Sequence, residues 1–155
     1  MVWNNWLEIE RKFLIDGKNL PNNLDNFQHE KIEQWYLSIT NDREERIRHR
    51  WDKYYHTIKT WLWEVRWEDE HQITKDNFEA LWPKTKWLRI EKTRYIIPYN
   101  NHKIELDIYE WLNKWLIVAE IEFNDKENCD SFEHPDWFGE DVTDNPKYKN
   151  RNLAK

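Results

Sequence analysis

Glycine is scarce in this chain: only 2 of its 155 residues are glycine, whereas about 7% is typical of proteins. Cysteine is scarcer, since Cys129 stands alone, and this excludes an internal disulfide framework. No apolar run approaches the roughly 18 residues of a membrane-spanning helix. The amino terminus also lacks the basic stretch and apolar core of a signal peptide. We therefore expect a cytoplasmic protein with no membrane partner.

Neither charge sign is in large excess, because 30 acidic residues against 24 basic ones give a formal net charge of -6. This balance argues weakly against general nucleic-acid binding and permits a locally basic site. The sequence contains no P-loop, no GxGxxG motif and no paired histidine or cysteine ligands. The length suits one domain, residues 1–155, and we expect no nucleic-acid partner.

Alternation of charged and apolar residues dominates the sequence and predicts β-strands. A short helix is predicted after Thr74, a plausible N-cap, and is expected to end at Pro83. A second is predicted in 124–132, followed by an irregular or partly helical tail over 135–155. The eight predicted strands span 6–16, 31–40, 43–50, 53–60, 64–73, 88–98, 103–110 and 116–123.

Charged residues recur two positions apart on six of these strands. One such strand is ordinary on a solvated face. Six strands with a charged face are more than solubility requires, because an exposed ion pair contributes only about 0–1 kcal/mol to stability. Closing eight antiparallel strands into a barrel would place the charged parity inside, where both signs suit divalent cations plus a polyanion. The groups are Glu8, Glu10 and Lys12; Arg46 and Arg48; Arg66, Glu68 and Glu70; Lys92 and Arg94; Glu105 and Asp107; Glu120 and Glu122.

Six segments occur in an order that resembles the CYTH superfamily, the triphosphate tunnel metalloenzymes. They are LEIERKFL, EERIRHR, TIK, RIEKTRY, IELDIY and VAEIEF, and the terminus PDWFGEDVTDNPKYKNRNLA is similar to that of short bacterial members. The resemblance implies a mainly β (α+β) fold, an eight-stranded antiparallel β-barrel tunnel with a few peripheral helices. It also implies Mg²⁺- or Mn²⁺-dependent hydrolysis of a small-molecule triphosphate, with inorganic tripolyphosphate as the expected substrate.

The resemblance leaves other activities open. One is that of a class IV adenylate cyclase, known in the same superfamily, and another is hydrolysis of a nucleoside or thiamine triphosphate. A third alternative is a non-catalytic module that binds polyphosphate or nucleotide. Because both the first and the last predicted strands carry carboxylates, we favour an enzyme.

The resemblance also implies roles for individual residues. Lys12 is expected to serve both catalysis and substrate binding. The tail is expected to cross the barrel and one tunnel mouth, with Tyr148, Lys149 or Arg151 near the opening; the alternative is a plain structural brace. The expected metal ligands are Glu8, Glu10, Glu120 and Glu122, all four counted as catalytic, with Asp107 as a further ligand. The expected phosphate-binding residues are Lys12, Arg46, Arg48, Lys59, Arg66, Lys92 and Arg94.

Tryptophan is abundant where glycine is missing, with 12 residues in the chain. Several stand at expected turns, where positive φ angles favour glycine over a bulky aromatic residue. Trp82 and Trp137, by contrast, suit the resemblance as tryptophan. Some bacteria read the codon UGA as glycine, and assigning UGA to tryptophan would produce this pattern; the alternative is a genuine Trp-rich surface. The positions that look like glycine include Trp6, Trp35, Trp51, Trp61, Trp63, Trp87, Trp111 and Trp115.

Overall fold

The computed structural model describes residues 9–62, 65–85 and 88–154. Eight strands carry most of the structure, as the alternation predicts. The predicted 43–50 strand has the observed bounds, whereas β2 begins three residues earlier than predicted because QHE offers no apolar residue to mark it. The strands are β1 Ile9–Leu14, β2 Gln28–Ile39, β3 Arg43–Arg50, β4 Lys53–Leu62, β5 Val65–Ile73, β6 Arg89–Tyr99, β7 His102–Tyr109 and β8 Ile117–Phe123.

Within the described ranges the strands are accompanied by three short α-helices: α1 Lys75–Leu81, α2 Lys126–Ser131 and α3 Asn150–Leu153. The Thr74 side chain accepts a hydrogen bond from the Asn77 backbone N–H and caps α1, as predicted. The Asp125 side chain caps α2 in the same way. Among the described residues, no helix is long and apolar enough to cross a membrane.

The strands form one antiparallel sheet in the order β1-β8-β7-β6-β2-β3-β4-β5. The expected architecture, eight antiparallel strands with a few helices, is confirmed. Within the described part of the chain, the sheet is not closed by hydrogen bonds between its end strands. By contacts the chain divides into two compact units, of which unit 1 comprises 31–91 and 149–154 and unit 2 comprises 9–30 and 92–148, apart from the undescribed positions. The expectation of a single domain stays a prediction.

Unit 1 buries an apolar core on one face of β2 and β3. Trp35 and Ile47 are register partners there, and Phe78 of α1 packs against both. Thr74 starts α1 at the position that brings Phe78 onto this face. The opposite parity of these strands carries Arg46 and its neighbours, so the charged and apolar faces are separate.

Unit 2 has a larger apolar core, which again takes one parity of its strands. The tail lies along β1: the Leu14 N–H donates to the Glu140 carbonyl, the Gly139 N–H to the Leu14 carbonyl and the Val142 N–H to the Lys12 carbonyl. Placement of the tail at a tunnel mouth stays a prediction. The core consists of Phe13, Ile15, Ile97, Ile104, Leu106, Ala119, Ile121, Phe123, Phe132 and Phe138.

Candidate active site

The charged face of unit 2 is assembled by cross-strand register. On β1 and β8, Glu10 pairs with Glu122 and Lys12 pairs with Glu120. On β7, Glu105 is the second partner of Glu120. Since side chains of opposing residues point to the same side of a sheet, these groups share one face.

Asp107 lies at the centre of this face and is fully buried. Its Oδ2 accepts a hydrogen bond from Lys92 Nζ at 2.7 Å. Arg94 binds it through two atoms, with Nε donating to Oδ1 at 2.7 Å and Nη2 to Oδ2 at 2.8 Å. Arg94 Nη1 also lies 2.8 Å from an oxygen of Glu105. Both bases are therefore held rigidly by carboxylates.

Burial and ion pairing shift the pKa values of Asp107 and Lys92 in opposite directions. Pairing dominates for Asp107, whereas burial dominates for Lys92. Burial alone would raise the pKa of Asp107, but Arg94 and Lys92 hold it well below its usual range. Burial lowers the pKa of Lys92 to about 8, although Asp107 acts in the opposite direction. Asp107 therefore remains ionised at neutral pH, whereas Lys92 loses its proton under mildly alkaline conditions.

Lys12 is the second buried base of unit 2. Its Nζ lies 3.1 Å from a carboxylate oxygen of Glu120 and donates to the Tyr148 backbone carbonyl at 3.0 Å. Burial would raise the pKa of Glu120, but Lys12 and the other nearby bases hold it below its ordinary value. The tail thus supplies a backbone ligand to a base of the charged face.

Glu10 and Glu122 form an acidic pair on this face. They are register partners on adjacent strands, Glu10 is half-buried, and Glu122 is exposed. Glu10 also borders a cavity of about 440 Å³ beside the tail. Within the described residues, no three His, Cys, Asp or Glu side chains form a metal-binding group. Glu8 lies outside the described residues, so these residues show only part of the expected carboxylate set.

In unit 1, the charged face centres on Arg46. It is buried, opposes Tyr36 on β2 and Thr57 on β4, and lies 3.5 Å from Glu44. Burial alone would lower the pKa of Arg46, but Tyr36 and Glu44 raise it. Its Nε is buried and has no hydrogen-bond partner within the described chain. A buried guanidinium N–H without a partner is costly and suits an anionic ligand.

A neutral polar group, the Tyr36 hydroxyl, also lies beside Arg46. Tyr36 is almost fully buried, and burial raises its pKa to about 12 despite the nearby guanidinium. Its hydroxyl accepts a hydrogen bond from the Gln34 side-chain amide at 2.8 Å. Tyr36 therefore stays protonated at neutral pH and can donate a hydrogen bond to an anion.

Arg48 and Lys59 are two further bases of this face. Arg48 Nη2 lies 3.0 Å from Glu70, which also accepts a hydrogen bond from the Thr57 hydroxyl at 2.6 Å. Burial would raise the pKa of Glu70, but Arg48 and Thr57 hold it below its ordinary value. The Lys59 ammonium lies 3.6 Å from Glu68.

The structure distributes the predicted residues over the two units. Arg66 opposes Trp61 in the β4–β5 register, but its side chain is outside the description. Sequence reasoning did not include Gln34, Tyr36 or Glu44, although all three share the parity of the charged positions, which was the available signal. Unit 1 holds Arg46, Arg48, Lys59 and Arg66, and unit 2 holds Glu10, Lys12, Lys92, Arg94, Asp107, Glu120 and Glu122.

Comparison with known proteins places this arrangement in a family. The sequence pattern of the CYTH domain matches residues 7–152, nearly the whole chain. The chain belongs to the CYTH family. This CYTH chain is 37% identical to an inorganic triphosphatase of Nitrosomonas europaea over 154 residues, 95% of the chain and 96% of the relative.

A second relative of the CYTH chain is an inorganic triphosphatase of Acetivibrio thermocellus. It is 33% identical over 156 residues, which cover 96% of the chain and 93% of the relative. The crystal structure of an inorganic triphosphatase is also similar, with a TM-score of 0.75 and 36% identity over 96% of the chain and 95% of the solved one. The resemblance inferred from the six segments is thereby confirmed.

Proposed function

We propose that this CYTH protein is an enzyme that hydrolyses a linear triphosphate, with inorganic tripolyphosphate as its substrate. The observation that carries the proposal is the set of buried arginine and lysine side chains on the charged parity of the strands, held by carboxylates that alternate with them. Two relatives named inorganic triphosphatase, each covered over more than 90% of its length, support the same activity.

The bases of unit 1 are proposed to bind phosphate oxygens. Arg46 has a buried Nε without a partner in the described chain, and the neighbouring Tyr36 hydroxyl can donate beside it. Arg48, Lys59 and Arg66 lie on the same parity of β3, β4 and β5. Together they neutralise a highly charged anion, which is the main requirement in phosphoryl transfer.

The bases of unit 2 are proposed to stabilise negative charge on the reacting phosphate and on the leaving group. Lys12, Lys92 and Arg94 are each fixed by a carboxylate, so their charges need no rearrangement during the reaction. The contacts of Asp107 favour a positioning role for this residue. Both of its oxygens are occupied by Lys92 and Arg94, which leaves it poorly placed to bind a metal ion.

CYTH triphosphatases depend in general on a metal ion, and we propose Mg²⁺ or Mn²⁺ bound by Glu8, Glu10, Glu120 and Glu122. Carboxylate oxygens suit these hard cations, which usually also contact substrate phosphates. When bound, the metal polarises phosphate oxygens and acidifies the attacking water. Of the proposed ligands, Glu10 and Glu122 are register partners on β1 and β8.

Phosphate release is the direct test. The protein is incubated with tripolyphosphate, ATP or thiamine triphosphate, with Mg²⁺, with Mn²⁺ or with EDTA. We expect metal-dependent release of phosphate, fastest from tripolyphosphate. Cyclic AMP as the main product from ATP would instead identify an adenylate cyclase. Metal-dependent binding in calorimetry with background phosphate release would identify a binding module.

A further inference from the structure

Two hairpins of this protein have the same loop length and opposite loop chemistry. Arg50 pairs with Lys53 around the loop Trp51-Asp52, and Tyr99 pairs with His102 around the loop Asn100-Asn101. In both, the first loop residue has a positive φ, 55° at Trp51 and 52° at Asn100, whereas the second does not. A two-residue hairpin with positive φ at its first central position favours glycine there.

Asparagine tolerates this conformation because its short polar side chain is compatible with the left-handed region. Tryptophan does not share that property, and its Cβ and ring make the same backbone conformation costly. Asparagine at position 100 is therefore compatible with the positive φ of its turn. Trp51 occupies an equivalent position without the chemistry that normally accompanies it.

Trp111 repeats the anomaly at another turn. It follows β7, has a φ of 61°, and begins the turn in which the Lys114 N–H donates to the Trp111 carbonyl. Only three non-glycine residues have positive φ within the described chain, and two of them are tryptophan. Trp51 is 61% exposed and Trp111 55% exposed, so burial of the ring offsets little of the backbone cost.

Other tryptophans show what a well-accommodated ring looks like in this fold. Trp82 has a helical φ of -48°. Trp35, which the sequence grouped with the glycine-like positions, is buried in the core of unit 1 and lies 5.3 Å from the Trp82 ring, so the structure does not support glycine there. Trp137 lies 4.7 Å from Phe138 and packs against the core of unit 2. Trp51 and Trp111 thus combine a positive φ with an exposed ring, whereas Trp82 has a helical φ and Trp137 packs against a core.

We propose that the natural protein carries glycine at positions 51 and 111, because its host reads UGA as glycine and these codons are UGA. A single codon assignment explains both anomalies at once, and it shifts the unusual composition of 12 tryptophans beside two glycines in the direction of an ordinary protein. Neither Gly17 nor Gly139 has positive φ, so the residues written as glycine supply none of the turns that need one. The inference is independent of the enzymatic activity.

The gene and the natural protein provide the deciding test. The DNA is sequenced at codons 51, 82, 111 and 137, and tryptic peptides of the protein isolated from its source organism are analysed by mass spectrometry. We expect UGA at codons 51 and 111 with glycine in the peptides, and UGG at codons 82 and 137 with tryptophan. UGG at codons 51 and 111, or tryptophan in those peptides, overturns the proposal.

Thermal stability tests the conformational argument separately. Starting from the protein with tryptophan at both positions, Trp51→Gly and Trp111→Gly are each expected to raise Tm by about 2–4 °C, because positive φ is no longer strained. Asn100→Gly is the matched control and should change Tm less. Trp137→Gly should lower Tm, because it removes a packed ring. A lower Tm for both Trp51→Gly and Trp111→Gly contradicts the proposal.

Discussion

The two charged faces solve the problem of buried charge differently. In unit 2, Asp107 fixes Lys92 and Arg94 through three short hydrogen bonds. In unit 1, Arg46 lies 3.5 Å from the buried Glu44 and beside the neutral Tyr36 hydroxyl, yet its Nε has no hydrogen-bond partner in the described chain. Arg94 is thus fixed by Asp107, whereas Arg46 keeps a buried donor for which we propose a phosphate oxygen as the partner. The difference motivates the proposal that the paired bases of unit 2 hold the reacting groups in place and that Arg46 of unit 1 binds substrate.

The largest expected effect is on turnover. Glu10→Gln removes a charge from the proposed metal site and should lower kcat/KM by roughly 1000-fold, since metal catalysis supplies several kcal/mol. Without metal the variant should be no less stable, because repulsion among carboxylates is relieved. Glu79→Gln, on the exposed side of α1, is the control for phosphate-release assays. A fully active Glu10→Gln enzyme would remove the metal assignment.

The next effect concerns stability in unit 2. Asp107→Asn leaves Lys92 and Arg94 without their buried partner and should lower the free energy of unfolding by about 3–5 kcal/mol in urea titrations. Because the folded pKa of Asp107 lies below the unfolded one, its contribution should fade as the pH drops below about 4. Glu70→Gln, at a more open site of unit 1, should cost about 1 kcal/mol or less. Equal losses would break the contrast between the faces.

The third prediction is that substitutions of Arg46 in unit 1 and Arg94 in unit 2 differ in their effects on substrate affinity and stability. Arg46→Ala should raise KM for tripolyphosphate by roughly 10- to 100-fold, the range expected for hydrogen bonds to a charged group. Arg46→Lys should recover only part of this loss, because the guanidinium fork is gone. Arg94→Ala should raise KM and also lower Tm, since Asp107 loses a partner. If both alanine variants affect only KM, the proposed difference between the faces is wrong.

The fourth prediction concerns Lys92 and is tested by measuring the free energy of unfolding and KM over a series of pH values. Its folded pKa of about 8 lies below the unfolded value, so between these values the unfolded chain binds more protons. The contribution of Lys92 to the free energy of unfolding should therefore rise with pH in that window. KM should rise a few-fold over the same window as the ammonium charge is lost. Lys92→Arg should remove both trends, and their persistence in that variant would assign them to another group.

The smallest effect is expected at the tail. The Lys12 backbone N–H donates to the Thr143 hydroxyl at 3.0 Å. Thr143→Val removes this acceptor and should lower the free energy of unfolding by about 1 kcal/mol, with little change in kcat. Thr60→Val on β4 offers a comparison outside this contact. A large loss of turnover in Thr143→Val would mean that the tail has a more direct role.

Much of this arrangement could be predicted because its signals are local. Alternation sets the strands, and the β3 bounds follow from REERIRHR alone. Thr74 likewise marks the start of α1. The contacts of Asp107 could not be predicted from local sequence, because they depend on the register between β6 and β7. That register places Asp107 opposite Arg94. Tyr36 was missed because a neutral hydroxyl gives no charge pattern, although its parity is informative.

The path of the tail along β1 has a consequence for behaviour in concentrated solution. A strand edge with open N–H and C=O groups invites pairing with another chain. Here residues 139–142 satisfy backbone groups of Lys12 and Leu14, and the Phe13–Asp141 bridge extends the cover. Gly139 permits this approach, since a Cβ there would lie 2.7 Å from the Leu14 carbonyl oxygen. Residues 139–142 therefore also protect the edge of β1 from pairing with another chain, and a side chain at position 139 is expected to weaken that protection.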